Sequence, residues 1–149
     1  MPAINGFGLQ VSAQRLDDLD RLALLAATHG TGSVHALDLG CGEGVVSGLL
    51  AQSGATVVAL DRQDYATSVL KHASVCGQVA GTVRFMHMVL PLGFANWLAS
   101  GPRWSVVYSQ RMLHYLRWEE ALEVLSSLRH HGAGGRGLFL GVSGVASEL

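Results

Sequence analysis

Asp38-Leu39-Gly40-Cys41-Gly42-Glu43-Gly44 decides the reading of this chain. It follows a short apolar run at residues 34–39 and precedes the apolar stretch 44–53. Glycines there let a backbone turn tightly and approach a ligand closely, and a following helix offers unpaired N–H groups at its start. Twenty-three positions after Asp38, a second apolar run (56–60) closes on Asp61. That interval fits one strand-loop-helix-strand unit. An acid at the end of the second strand can accept hydrogen bonds from both hydroxyls of a ribose. A dinucleotide fingerprint of the Gly-x-Gly-x-x-Gly type would need glycine at position 45, where the chain has Val45.

The rest of the chain repeats the same alternation. Residues 12–29 predict a helix capped by Ser12, with Leu16, Leu19, Leu22, Ala23, Ala26 and Ala27 on one apolar face. Its acids Asp17, Asp18 and Asp20 read as a solvated face. Strands are predicted at 34–39, 56–60, 82–87, 104–109 and 137–142, as short, continuous apolar runs. Helices are predicted at 44–53, 65–75, 92–100 and 118–130. The last should bury Trp118, Ala121, Leu122, Leu125 and Leu128. Strands alternating with helices imply an α/β protein whose mostly parallel sheet of about five strands is covered on both faces.

Composition narrows the class. The chain has 149 residues, 49% hydrophobic and 14% charged, so one domain with a sizeable core is expected and disorder is not. A formal net charge of -1 argues against nucleic acid as partner. Two cysteines make no disulfide framework, and a reduced, cytoplasmic protein is expected. The stretch 85–102 lacks charge, but His87, Pro91, Gly93 and Asn96 break any membrane helix, so no membrane partner is expected. The histidines form no metal-ligand pattern. Cys41 reads as a small filler, since nothing basic neighbours it in sequence.

The glycine stretch resembles the first motif of the class I S-adenosylmethionine-dependent methyltransferases, close to Asp/Glu-x-Gly-x-Gly-x-Gly, and it matches every fixed position. Asp61 matches the acid after the family's second strand. Residues 104–109 with 112–116 look like the fourth strand and its loop, and 134–140 like the turn into the fifth. The resemblance covers roughly residues 34–142. It implies a Rossmann-like, three-layer α/β/α domain over residues 1–149, with an N-terminal helix within 12–32 and a cofactor-binding core at 34–142. It further implies S-adenosyl-L-methionine as cofactor. Gly40, Gly42 and Gly44, with Cys41 between them, would pass close to its methionine and ribose portions. Asp38 would anchor the loop or meet the cofactor's amino group. Asp61 would hold the ribose hydroxyls and Arg62 would flank the adenine. Ser109 and Gln110 would face the methyl-transfer site. The expected activity is methyl transfer to a small-molecule acceptor. The alternative is a non-catalytic cofactor-binding or scaffold subunit.

Three departures from the family pattern stand out. No Asp or Glu occurs between Tyr65 and Trp118, where the family often places an acid for the adenine amino group; Met88 or Val89 stands nearby. Ser105 replaces an acid that often opens the fourth strand. The family usually continues past the fifth strand with a helix and two more strands. The expectation is a chain shortened at its C-terminus, a reduced member, or a homodimer or partner subunit covering the fifth-strand edge. Charge is segregated: residues 1–64 carry net -4, residues 65–118 net +5 and residues 119–149 net -2. Arg111, His114 and Arg117 follow the fourth strand. They read either as a site for an anionic group on the acceptor or as ordinary solvated surface. His114 is the candidate catalytic base. Trp97, Trp104 and Trp118 read as core.

Overall fold

The computed structural model describes residues 3–4, 10–11, 16–28, 32–75 and 82–142. Five strands form one sheet: β1 (His35–Leu39), β2 (Thr56–Asp61), β3 (Val83–His87), β4 (Val106–Gln110) and β5 (Gly137–Gly141). Their order is β3-β2-β1-β4-β5, and every pairing is parallel. Among the described residues they are accompanied by helices α1 (Asp18–Thr28), α2 (Val45–Gln52), α3 (Ala66–Val75), α4 (Phe94–Ser100) and α5 (Trp118–His130), and by a 3-10 turn at Leu113–Tyr115. A two-residue antiparallel bridge pairs Ala3–Ile4 with Gln10–Val11. The order reverses direction beside β1, so the carboxyl ends of β1 and β4 part there and leave a crevice for a ligand.

The central strand explains why its sequence is apolar throughout. Ala36, Leu37 and Leu39 are inaccessible, and Asp38 is nearly so, because both sheet faces are covered. On one face Ala27 of α1, Leu50 and Ala51 of α2, and Val69 and Ala73 of α3 pack with Ala36, Val57, Ala59 and Val106. On the other face Phe94 and Leu98 of α4, and Val124 and Leu128 of α5, pack with Leu37, Leu39, Leu60, Val107 and Leu113. Each fully buried leucine contributes about 2 kcal/mol through the water it leaves. Trp104 closes this second cluster at its base, stacked on Trp97 at 5.2 Å.

Four expectations change. The N-terminal helix starts at Asp18, and Ser12 lies outside the described residues. Asp17 is its cap: the Asp20 N–H donates to Asp17 Oδ1 (3.0 Å), and the Asp17 N–H donates to Asp20 Oδ2 (2.9 Å). The acids are therefore not all solvated. Asp20 is 5% exposed and accepts the hydroxyl of Tyr108 on β4. Leu22 turns outward. The buried stripe of α5 is Val124 and Leu128, with Ala121 and Leu125 half-buried, whereas Trp118 (72% exposed) and Leu122 face out. Both stripes repeat at 3.6 residues, so periodicity alone could not choose between them.

β5 is the edge strand of the sheet among the described residues, and Leu138 and Val142 are exposed there. No helix among the described residues is long and apolar enough to cross a membrane.

Replacing Tyr108 by Phe tests the anchor of α1. It leaves the Asp20 carboxylate buried without that donor, at a cost of about 2 kcal/mol. Urea unfolding should read this as an earlier midpoint with unchanged slope. An unchanged midpoint would show that the bond holds nothing.

Candidate functional site

The glycine stretch leaves the end of β1 and enters α2. Its first two amides, those of Gly40 and Cys41, both donate to the Leu60 carbonyl (2.8 and 2.9 Å). The loop is thereby tied to β2, the strand that ends in Asp61. All three glycines have positive φ, at +71° for Gly40, +53° for Gly42 and +87° for Gly44. Their surroundings differ. A Cβ on Gly40 would run into Met112, whose own Cβ would lie 2.6 Å away. A Cβ on Gly44 would lie 2.9 Å from the Val69 Cα of α3. A Cβ on Gly42 would meet nothing within 4 Å among the described residues. Gly42 is the turn of the loop that fronts open space.

The Asp61 carboxylate stands beside that turn. Its Oδ2 accepts the Gly42 N–H (2.9 Å) and its Oδ1 accepts the Gln63 N–H (2.9 Å). A carboxylate has about four acceptor positions, so two remain for hydroxyl donors. Gly44 caps α2 without a side chain. The missing acceptor comes from β1. Asp38, 2% exposed, accepts the Ser47 hydroxyl at 2.6 Å in the first turn of the helix. Burial pushes the Asp38 carboxyl up to about 7; the Ser47 hydrogen bond opposes this, and the charges of Asp61 and Asp20 add to it.

The other expected residues fall in varied places. Cys41 is half-buried, its Sγ 3.3 Å from the Gly42 carbonyl, and burial drives its thiol far above the usual range. It is no thiolate. Arg62 is exposed, and its carbonyl meets His87 Nε2 at 2.6 Å, joining the ends of β2 and β3. Ser109 is fully buried, and its hydroxyl has no hydrogen-bond partner among the described residues. Gln110 points toward α1: its Nε2 donates to Asp17, and its Oε1 lies 2.6 Å from the Tyr108 hydroxyl. His114 lies half-buried in the 3-10 turn, its ring 4.2 Å from that of Tyr115. Arg117 caps α5, its backbone N–H and its guanidinium both donating to Glu120. Arg111, just past β4, is exposed with φ +56°.

Sequence reasoning passed over Ser47, Met112 and Tyr108. Ser47 had a visible signal, a hydroxyl in the first turn of a helix whose cap is glycine. Met112 and Tyr108 act through contacts across 72 and 88 positions, from Gly40 and Asp20 respectively. Periodicity says nothing about such partners.

The residues present fit an adenosyl cofactor: an open turn at Gly42, a carboxylate beside it, and a helix start with no side-chain cap of its own. Comparisons with known proteins agree. A family model described as a methyltransferase domain matches residues 36–134. Among curated proteins, no match is found. Solved structures share the fold. A SAM-dependent methyltransferase from Agrobacterium tumefaciens is 16% identical, with TM-score 0.67 over 85% of this chain and 44% of that one. Magnesium protoporphyrin IX methyltransferase from Synechocystis PCC 6803, solved with bound SAM, is 24% identical, with TM-score 0.57 over 75% of this chain and 51% of that one. A SAM-dependent methyltransferase from Geobacter sulfurreducens, in complex with S-adenosyl-L-homocysteine, is 20% identical, with TM-score 0.53 over 78% and 47%. The chain spans about half the length of these structures. S-adenosylmethionine is the cofactor of the family. With two thirds of its length matched by the family model, the glycine loop included, the chain belongs to the methyltransferase-domain family.

Proposed function

We propose that this chain binds S-adenosylmethionine across the glycine loop and transfers its methyl group to a small-molecule acceptor that enters beside β4. The observation that carries the reading is the pairing of Asp61 with the open turn at Gly42, 2.9 Å apart. Bound there, the cofactor supplies an electrophilic methyl group on a sulfonium.

The chain's own residues bind and orient. Asp61 accepts the ribose hydroxyls with the acceptor positions that Gly42 and Gln63 leave open. Gly42 lets the ligand lie against backbone. Asp38 and Ser47 fix the start of α2 beneath it. The residues after β4, with His114 as candidate proton acceptor, form the acceptor side. In-line displacement gains mainly from proximity and orientation, which these elements provide.

Calorimetric titration with S-adenosylmethionine and S-adenosyl-L-homocysteine tests the reading. Asp61→Asn removes a charge-assisted acceptor, so affinity for both should fall about tenfold to a hundredfold. Absence of binding by the native chain, or equal binding by the variant, would overturn it.

A further inference from the structure

Three of the four methionines, Met86, Met88 and Met112, lie half-buried against one apolar cluster. Leu90 and Leu116 join them. Met88 and Leu90 come from the loop after β3, and Met112 and Leu116 from the loop after β4. Both loops leave the carboxyl edge of the sheet, on the face of α4 and α5. The first loop also carries Val89 (52% exposed) and Leu92 (73%), and α5 opens just after the second on Trp118 (72%); all three are exposed. Met112 meanwhile lies against Gly40, so this apolar ground touches the glycine loop. Methionine is flexible and polarisable, and it adapts to an irregular or planar partner.

One exposed cation is joined to this ground by the chain itself. Arg111 immediately precedes Met112, and its N–H donates to the Gly141 carbonyl at 2.9 Å. That bond holds it in the left-handed region at φ +56°, where a side chain with a Cβ is strained. Among the described residues its guanidinium makes no hydrogen bond or ion pair, whereas Arg117 is held by Glu120. Strain of this kind at a ligand edge is characteristic of functional positions. No acid occurs from residue 66 to residue 117 to satisfy Arg111 from its own segment or from the loop after β3.

We infer that the methyl acceptor is an apolar, aromatic anion, whose ring system lies on the methionine-lined ground beside Trp118 and whose carboxylate, sulfonate or phosphate meets Arg111. The inference rests on the functional reading above and names its substrate class. A guanidinium offers two parallel donors to such a group, and an indole or thioether face accommodates a flat ring.

Two dyes that differ in charge provide the test: 8-anilinonaphthalene-1-sulfonate and its uncharged counterpart N-phenyl-1-naphthylamine. Each is titrated by fluorescence into the full chain with S-adenosyl-L-homocysteine present. Arg111→Asn suits the backbone, because asparagine tolerates positive φ. It should weaken the sulfonate about tenfold and leave the neutral dye unchanged. Trp118→Ala, at an exposed position, should weaken both dyes. Sulfonate binding that is unchanged in Arg111→Asn overturns the inference, as does indifference of both dyes to Trp118→Ala. Calorimetry with S-adenosylmethionine on the same samples separates the two readings. A chain that binds the cofactor while the dyes ignore both substitutions loses this inference alone. A chain that does not bind the cofactor loses the functional reading itself.

Discussion

Gly44→Ala should destabilise the protein by about 3 kcal/mol, and Gly42→Ala by about 1 kcal/mol. Both positions have positive φ, so both variants carry the left-handed penalty of a Cβ. They differ in what the new methyl group meets. At position 44 it would lie 2.9 Å from the Val69 Cα and 3.1 Å from the Val69 Cβ, so α3 would have to move away from α2. That adds the cost of overpacking a filled core. At position 42 the methyl enters open space. The difference of about 2 kcal/mol should appear as a melting point lower by about 6 °C for Gly44→Ala than for Gly42→Ala. Ligand binding should reverse the ranking of damage per unit of stability. Gly42→Ala keeps the fold but fills the space where a cofactor would lie on the backbone, and calorimetric affinity for S-adenosylmethionine should drop at least about tenfold. Equal melting points for the two variants would show that Gly44 has room that the structure denies. Undiminished affinity in Gly42→Ala would place the ligand elsewhere.

This contrast also shows what a sequence discloses and what it withholds. The motif 38–44 announced three glycines of equal standing. Only the fold reveals that Gly40 makes room for Met112 and Gly44 for Val69, whereas Gly42 faces open space among the described residues. The five strands and the helices between them were legible because a doubly covered parallel sheet demands unbroken apolar runs, and the turns between them are marked by glycine and proline. Helix α5 matched the expected 118–130, yet its buried stripe was rotated by about one residue. Which stripe goes inward depends on the opposing surface of Leu37, Val107 and Leu98, which no local pattern encodes. The acids of α1 teach the same lesson. Asp20 sits in a row of acids that looks like solvated surface, but β4 brings a tyrosine hydroxyl to it from 88 positions away. That Asp61 closes a strand and Asp38 stands one residue before the end of another was readable from the sequence. Their present partners, two backbone amides for one and Ser47 for the other, were not.

Stability should fall as pH rises from about 4 to about 7, in proportion to the ionisation of Asp38, and Asp38→Asn should abolish that part of the slope. The sign follows from the two ends of folding. In the unfolded chain an aspartate releases its proton near 3.9. In the folded chain burial holds Asp38 up to about 7, with the Ser47 hydrogen bond only partly opposing it. Between those values the folded state keeps a proton that the unfolded state has lost, so each unit of rising pH favours unfolding, by at most about 1.4 kcal/mol. Above the folded value both states are ionised and the contribution levels off. The whole swing approaches about 4 kcal/mol. The carboxylate of Glu120 works the other way, since the Arg117 backbone N–H bond keeps its pKa low. The raw profile therefore mixes signs, and the informative quantity is the difference between native protein and Asp38→Asn. Asparagine can still accept the Ser47 hydroxyl, and it cannot ionise. Urea unfolding at about pH 3, where Asp38 is largely protonated in both states, should find the variant no more stable than the native chain. At pH 8 it should find the variant more stable, by an increment near the full swing. Parallel profiles across that range would mean that Asp38 titrates as an ordinary aspartate, and that the interior beneath the glycine loop is wetter than its 2% exposure implies.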